Sequence, residues 1–158
     1  MHEYRITKYN PKYRNVKGVF EREEWTSYSD IGQVFNGVKL TANEYVATEE
    51  KYISAILLMM VCENVKTMFL KNVEMDSCDF EATFEVREGA ALDVSEIPVL
   101  CQLILREHIW AKLESERMFV HFGYDFYMYI GVADKCDDVL AKISDLGLYV
   151  EEYRSPYE

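Results

Sequence analysis

No stretch of this chain is apolar for long enough to cross a membrane: the longest uninterrupted run, Ala55–Cys62 (AILLMMVC), falls far short of the roughly 18 residues a bilayer demands. The opening MHEYRITKYN lacks the unbroken apolar core of a signal peptide, so a soluble cytoplasmic protein is expected. Cysteine is scarce and dispersed. Cys62, Cys78, Cys101 and Cys136 lie 16, 23 and 35 residues apart, with no close pair of the kind that builds a zinc knuckle or a dithiol redox site. Reduced, structural thiols are expected, with Cys62 and Cys101 as small hydrophobes inside apolar segments. The seven glycines are scattered, and Gly32, Gly37 and Gly89 follow neither the dinucleotide nor the Walker spacing, which argues against a nucleotide cofactor. Histidine occurs only at positions 2, 108 and 121, without an HExxH, a paired CxxC or an EF-hand loop. The adjacent carboxylates Glu23-Glu24 and Asp137-Asp138 point apart on any regular element, and the second pair suits the first turn of a helix. Neither a metal nor a cofactor is expected, and no residue is assigned to catalysis.

What the chain does have is apolar bulk and negative charge. Of its 158 residues 49% are hydrophobic and 14% aromatic, enough to offset chain entropy and to form a single globular domain over 1–158, with residues 155–158 as a frayed tail. The net charge of −11 is uneven: Lys and Arg number 7 against 5 acids in residues 1–40, but 10 against 23 in residues 41–158. Such a field repels nucleic acid and anionic membranes and attracts basic proteins.

Pattern and punctuation predict an α+β fold: a mostly antiparallel sheet built from hairpins, with three main helices packed on it. Tyr4–Tyr9 alternates as a strand, and a second short strand through Gly18–Arg22 suggests a hairpin or a sheet edge. Ser27 with Asp30 signals a short helix that Gly37 closes. Thr41 with Glu44 signals a long one, Ala42 to Cys62, whose core stripe is Tyr45, Glu49, Tyr52, Ile53, Ile56, Leu57 and Met60. A hairpin of 67–74 with 79–86, a helix from about Ser95 to Leu113, a hairpin of 117–122 with 125–132, a helix 136–146 capped by Asp134, and a strand 148–153 complete the prediction.

Two surfaces carry chemistry that could recognise a partner. Arg5, Lys8, Lys12, Arg14 and Lys17 interleave with Tyr4, Tyr9 and Tyr13, as in some single-strand binding surfaces, but the acidic remainder would repel a polyanion. A basic edge paired with the protein's own acidic body is the preferred reading. In the C-terminal third, alternation puts Phe126, Met128 and Ile130 on one face and Asp125, Tyr127 and Tyr129 on the other, and the last strand adds Glu151 and Tyr153 to the second face. Tyrosine offers large contact area with few rotors and a polar tip, so Asp125, Tyr127, Tyr129, Glu151 and Tyr153 form the expected contact face. A second helix layer over these tyrosines is the alternative.

EYRITKYNPKYR with EREEWTSYSDIG near the start, and HFGYDFYMYIG with GLYVEEYRSPY at the end, resemble the small acidic immunity proteins encoded beside toxins in bacterial polymorphic-toxin and contact-dependent growth inhibition systems. The resemblance implies a cytoplasmic, non-enzymatic inhibitor that binds the toxic C-terminal domain of one cognate effector, often a basic nuclease, and blocks its active site. It supplies a role rather than a residue-by-residue site. An adaptor or subunit of another complex, including a homodimer through an exposed sheet edge, is the second expectation. A small enzyme or nucleic-acid binder using His121 or the basic N-terminal segment is the third.

Overall fold

A computed structural model describes residues 1–77 and 80–158 of the chain, and the expected α+β architecture is what it adopts. A seven-stranded antiparallel sheet runs in the order β5-β4-β6-β7-β8-β1-β9, made of β1 (His2–Thr7), β4 (Thr67–Glu74), β5 (Ala91–Asp93), β6 (Trp110–Glu114), β7 (Met118–Phe122), β8 (Tyr127–Val132) and β9 (Tyr149–Glu152). A separate two-stranded hairpin joins β2 (Val34–Phe35) to β3 (Val38–Lys39). Three helices complete the fold: α1 (Ala42–Cys62), α2 (Ile97–Leu105) and α3 (Asp137–Asp145).

Strict alternation divides the sheet into two faces. Ile6, Leu70, Leu113, Val120, Met128 and Ile130 face inward and are fully buried in one cluster with Ile56, Met60, Leu100 and Ile143 from the helices. Thr41 accepts from the Glu44 amide at 3.1 Å and starts α1 where its cap signal lies. The 117–132 hairpin and α3 also fall where the pattern puts them, with Asp137 and Asp138 in the first turn of α3, but the N-cap of α3 is Cys136 and the expected cap, Asp134, pairs with Arg117 instead.

Several expectations need correction. β1 is no sheet edge, because β8 and β9 pair on either side of it, and the Gly18–Arg22 segment makes only an isolated bridge between Arg14 and Phe20. Gly37 does not close a helix. With Asn36 (φ 48°) and Gly37 (φ 77°) both left-handed, it forms the two-residue turn of the β2–β3 hairpin. The helix expected to reach Leu113 ends at Leu105: Glu107 takes the left-handed position after it (φ 64°), and the His108 amide bonds back to the Leu103 carbonyl at 2.9 Å. Trp110–Glu114 is therefore strand β6, with Ala111 and Leu113 inward. β4 pairs with β5 and β6 rather than with 79–86. Asp79, the first residue of that expected strand, and Cys78 lie outside the described residues. Phe80, Ala82, Phe84 and Val86 still alternate against the core, without a ladder.

The expectation of reduced thiols fails for Cys62 at the end of α1 and Cys136 at the start of α3, which form a disulfide across a sequence separation of 74, while Cys101 is a free, buried thiol as expected. The separation of the bonded pair along the chain hides a proximity that the packing of α1 on α3 creates. Residues 155–158, expected to fray, fold back over the sheet, where Ser155 is buried. Among the described residues no helix is long and apolar enough to cross a membrane.

Candidate functional site

The outer face of the sheet carries a row across four strands: His121, Tyr129, Arg5 and Glu151 lie side by side in register. No second helix layer supplies the contacts seen here. The N-terminal segment and the C-terminal tail pack on the face instead. Arg5 donates from Nε and Nη2 to the two Glu151 carboxylate oxygens at 3.1 and 3.0 Å, a bidentate pair, and its guanidinium lies 4.0 Å from the Tyr153 ring centre. Arg14 reaches the same carboxylate at 3.6 Å and donates to the Tyr127 hydroxyl at 2.9 Å. Its Nε and Nη2 are otherwise buried without a hydrogen-bond partner, so that ion pair is their compensation. Part of the basic N-terminal segment does pair with the protein's own acids.

The five expected contact residues therefore separate. Tyr129 is buried beneath Tyr153 and Tyr157, and that burial raises its hydroxyl pKa above the ordinary value. Tyr127 is half-buried, stacked on Tyr9 at 5.2 Å. Glu151 is half-buried and shared by two arginines. Tyr153, 46% exposed, and Asp125 at the β7–β8 turn reach solvent.

That turn is built with care. Residues 123–126 close it through a 2.7 Å bond from the Gly123 amide to the Tyr127 carbonyl, and Phe126 adopts a left-handed backbone (φ 61°), rare for a bulky residue. Two buried tyrosines hold it from beneath. The Tyr9 hydroxyl donates to the Asp125 carbonyl at 2.6 Å, and the Tyr52 hydroxyl donates to the Phe126 carbonyl at 2.7 Å while accepting from the Lys8 amide. Desolvation pushes both phenols well above their usual pKa, so both remain protonated donors. The Phe126 ring packs among Trp25, Tyr45 and Tyr52, leaving Tyr124 63% exposed.

Beside the turn lies a cleft of about 370 Å³ whose lining includes Trp110, Tyr124, His108, Glu74, Asp76 and Glu107. Sequence reasoning missed this cleft, because it joins the end of β4, the α2–β6 connection and the β7–β8 turn. A left-handed glutamate at position 107 leaves no mark in composition.

Three buried acid or histidine side chains lie elsewhere among the described residues, Glu49, Glu63 and His121, and Glu63 pairs with Arg117 at 3.0 Å and accepts from the Asp134 amide at 2.9 Å. Glu49 is fully buried and accepts from the Tyr45 hydroxyl at 2.8 Å and from Arg106 Nε and Nη2 at 3.0 and 2.7 Å. His121 Nδ1 meets Ser155 Oγ at 2.7 Å, and Nε2 is 3.6 Å from Glu114. The pair superficially suggests a hydrolase, yet His121 is 3% and Ser155 5% exposed, so neither is open to a substrate. Burial first, then the positive charge of Lys112, lower the His121 pKa to about 4. Its contacts anchor the C-terminal tail, which Lys112 also holds through the Tyr157 carbonyl.

No protein-family model matches this chain, and neither a curated protein nor a solved structure does.

Proposed function

We propose that this chain is a non-enzymatic immunity protein that binds the toxic C-terminal domain of one cognate bacterial effector, a basic domain such as a nuclease, and blocks its active site. One observation carries the reading: carboxylates without an ion-pair partner among the described residues gather around an exposed, rigidly tethered Tyr124–Asp125 turn, in a molecule of net charge −11. An acidic surface steers association with a basic domain and can occupy a groove shaped for phosphates. Within the expected contact set, Asp125 and Tyr153 are the residues that touch the partner, while Tyr127, Tyr129 and Glu151 hold the face on which they stand.

The test begins with the neighbouring reading frame, where a large secreted protein whose C-terminal domain is toxic is expected. Co-expression of this chain with that domain restores growth on this reading; continued killing beside folded inhibitor rejects it. Such an inhibitor acts in the cytoplasm, where the Cys62–Cys136 bond has to persist against a reducing thiol pool. Alkylation during lysis, followed by peptide mass analysis, reads its state directly: persistence leaves Cys62 and Cys136 unlabelled until reduction. A second reading, a subunit that pairs through a sheet edge, has the unpaired side of β9 among the described residues in its favour, although the exposed Glu152 there discourages pairing. A stable assembly of the purified protein alone, measured by sizing with light scattering, would favour it.

A further inference from the structure

We propose that the cleft beside the β7–β8 turn is a receptor for one guanidinium group, an arginine side chain of the basic partner; the identity of the partner as basic rests on the function proposed above. Aromatic and acidic side chains line the cleft together. Trp110 and Tyr124 lie nearly parallel, 17° apart in plane with ring centres separated by 6.5 Å. Trp110 cannot swing away, because its indole N–H donates to the Phe122 carbonyl at 2.9 Å and the Tyr157 ring packs on it at 5.8 Å. Tyr124 stands out from a turn whose backbone is fixed by Tyr9 and Tyr52.

The charges decide what that occupant is. Glu74, Asp76 and Glu107 line the cleft, no Lys or Arg does, and none of the three carboxylates makes an ion pair or a side-chain hydrogen bond among the described residues. Carboxylates at other places do hold cations, Glu151 by Arg5 and Arg14, Glu49 by Arg106 and Glu63 by Arg117. The cleft carboxylates are left to solvent beside two aromatic faces, and a cation set over such faces is attracted by their quadrupoles. A guanidinium fits better than an ammonium, since it is planar, lies flat on an indole and turns its five donors toward carboxylates in a fixed fork. Two of the lining residues, Glu107 (φ 64°) and Phe126 (φ 61°), have left-handed non-glycine backbone.

The experiment titrates the full-length, disulfide-intact protein with N-acetyl-arginine amide, N-acetyl-lysine amide and the neutral N-acetyl-citrulline amide. The readout is the Trp110 indole N–H resonance, distinguished from that of Trp25 with a Trp110→Phe variant. Arginine amide is expected to shift it saturably, lysine amide more weakly, and citrulline amide not at all. Tyr124→Ala weakens arginine binding by about threefold, as expected for loss of one cation–π face, and the double variant Glu74→Gln with Glu107→Gln weakens it at least as much. Both changes are at exposed positions, and circular dichroism confirms that each variant is folded. No response to arginine, an equal response to citrulline or lysine amide, or unchanged affinity in Tyr124→Ala overturns the assignment. The growth-rescue assay keeps the two proposals apart. Rescue by the native protein and equally by the cleft variants leaves the immunity reading standing and removes the cleft from it. Absence of rescue by the native protein overturns the immunity reading, while the titration still decides the cleft.

Discussion

At Glu49 a fully buried carboxylate meets three donors, one from Tyr45 a turn away and two from Arg106, which is 57 residues further along the chain. Glu49→Ala would strand the Arg106 guanidinium at a partly buried site and leave the Tyr45 hydroxyl without its acceptor. The expected cost is about 3 kcal/mol, the lower end for breaking a buried pair because Arg106 keeps some access to water. Urea unfolding of the variant against the native protein measures it. Position 49 in the helical stripe is legible from spacing alone, but its ion-pair partner is not, because periodicity places a residue on a face and says nothing of what crosses to it. His121 supplies a pH test. Its folded pKa of about 4 lies below the ordinary 6.5, so between those values the unfolded chain binds a proton that the native protein does not. The histidine's contribution is complete above pH 6.5 and lost as pH falls toward 4. With its ring almost wholly buried, a loss of about 1–2 kcal/mol is expected. Thermal midpoints at pH 7 and pH 5 should fall further in the native protein than in His121→Gln; equal falls would mean that the ring accepts its proton without opening the tail.

Whole elements were legible where a local signal sets both ends. The Thr41–Glu44 cap and the apolar second half fix α1, and two alternating runs around Gly123 fix the β7–β8 hairpin. Where an end depends on an unusual backbone the pattern misleads: apolar residues resume at Ile109, only three residues separating it from the end of α2, and the break between them turns on a glutamate in a conformation usually left to glycine. The segment 80–86 shows the converse, alternation without a strand, since packing on the core demands the same period as a ladder. Gly131 illustrates an element-scale constraint that no window of sequence displays. It faces Phe119 across the β7–β8 pair, and a Cβ there would sit 2.1 Å from the Phe119 ring, which also stacks on His121 at 4.2 Å. Gly131→Ala is expected to cost about 1–2 kcal/mol by displacing that ring, as overpacking does. The cost should shrink when Phe119→Ala is already present. A double-mutant cycle by chemical denaturation reads the coupling, and strict additivity would show that the ring yields freely.

At the scale of the molecule, acidity is the property most plainly written in the sequence, yet its distribution over the surface is not. Glu151 lies in an attractive acid-and-tyrosine strand but is neutralised by Arg5 and Arg14, whereas Glu74, Asp76 and Glu107 come together only through folding. Association with a basic domain should consequently be fast at low salt and slow markedly between about 50 and 500 mM, as screening shortens the reach of exposed charges. Stopped-flow mixing at several ionic strengths measures this; an association rate indifferent to salt would remove charge steering from the account. The place of β1 has a consequence in time. Ile6 pairs with Met128 on one side and Val150 on the other, so the first strand made acquires both neighbours only after most of the chain exists. At a synthesis rate of about 5–20 residues per second, β1 waits roughly six to twenty-five seconds for β8 to emerge, with both of its edges open. Completion of the sheet is thus gated by translation, and on the immunity role proposed above protection would begin only with the last strands off the ribosome.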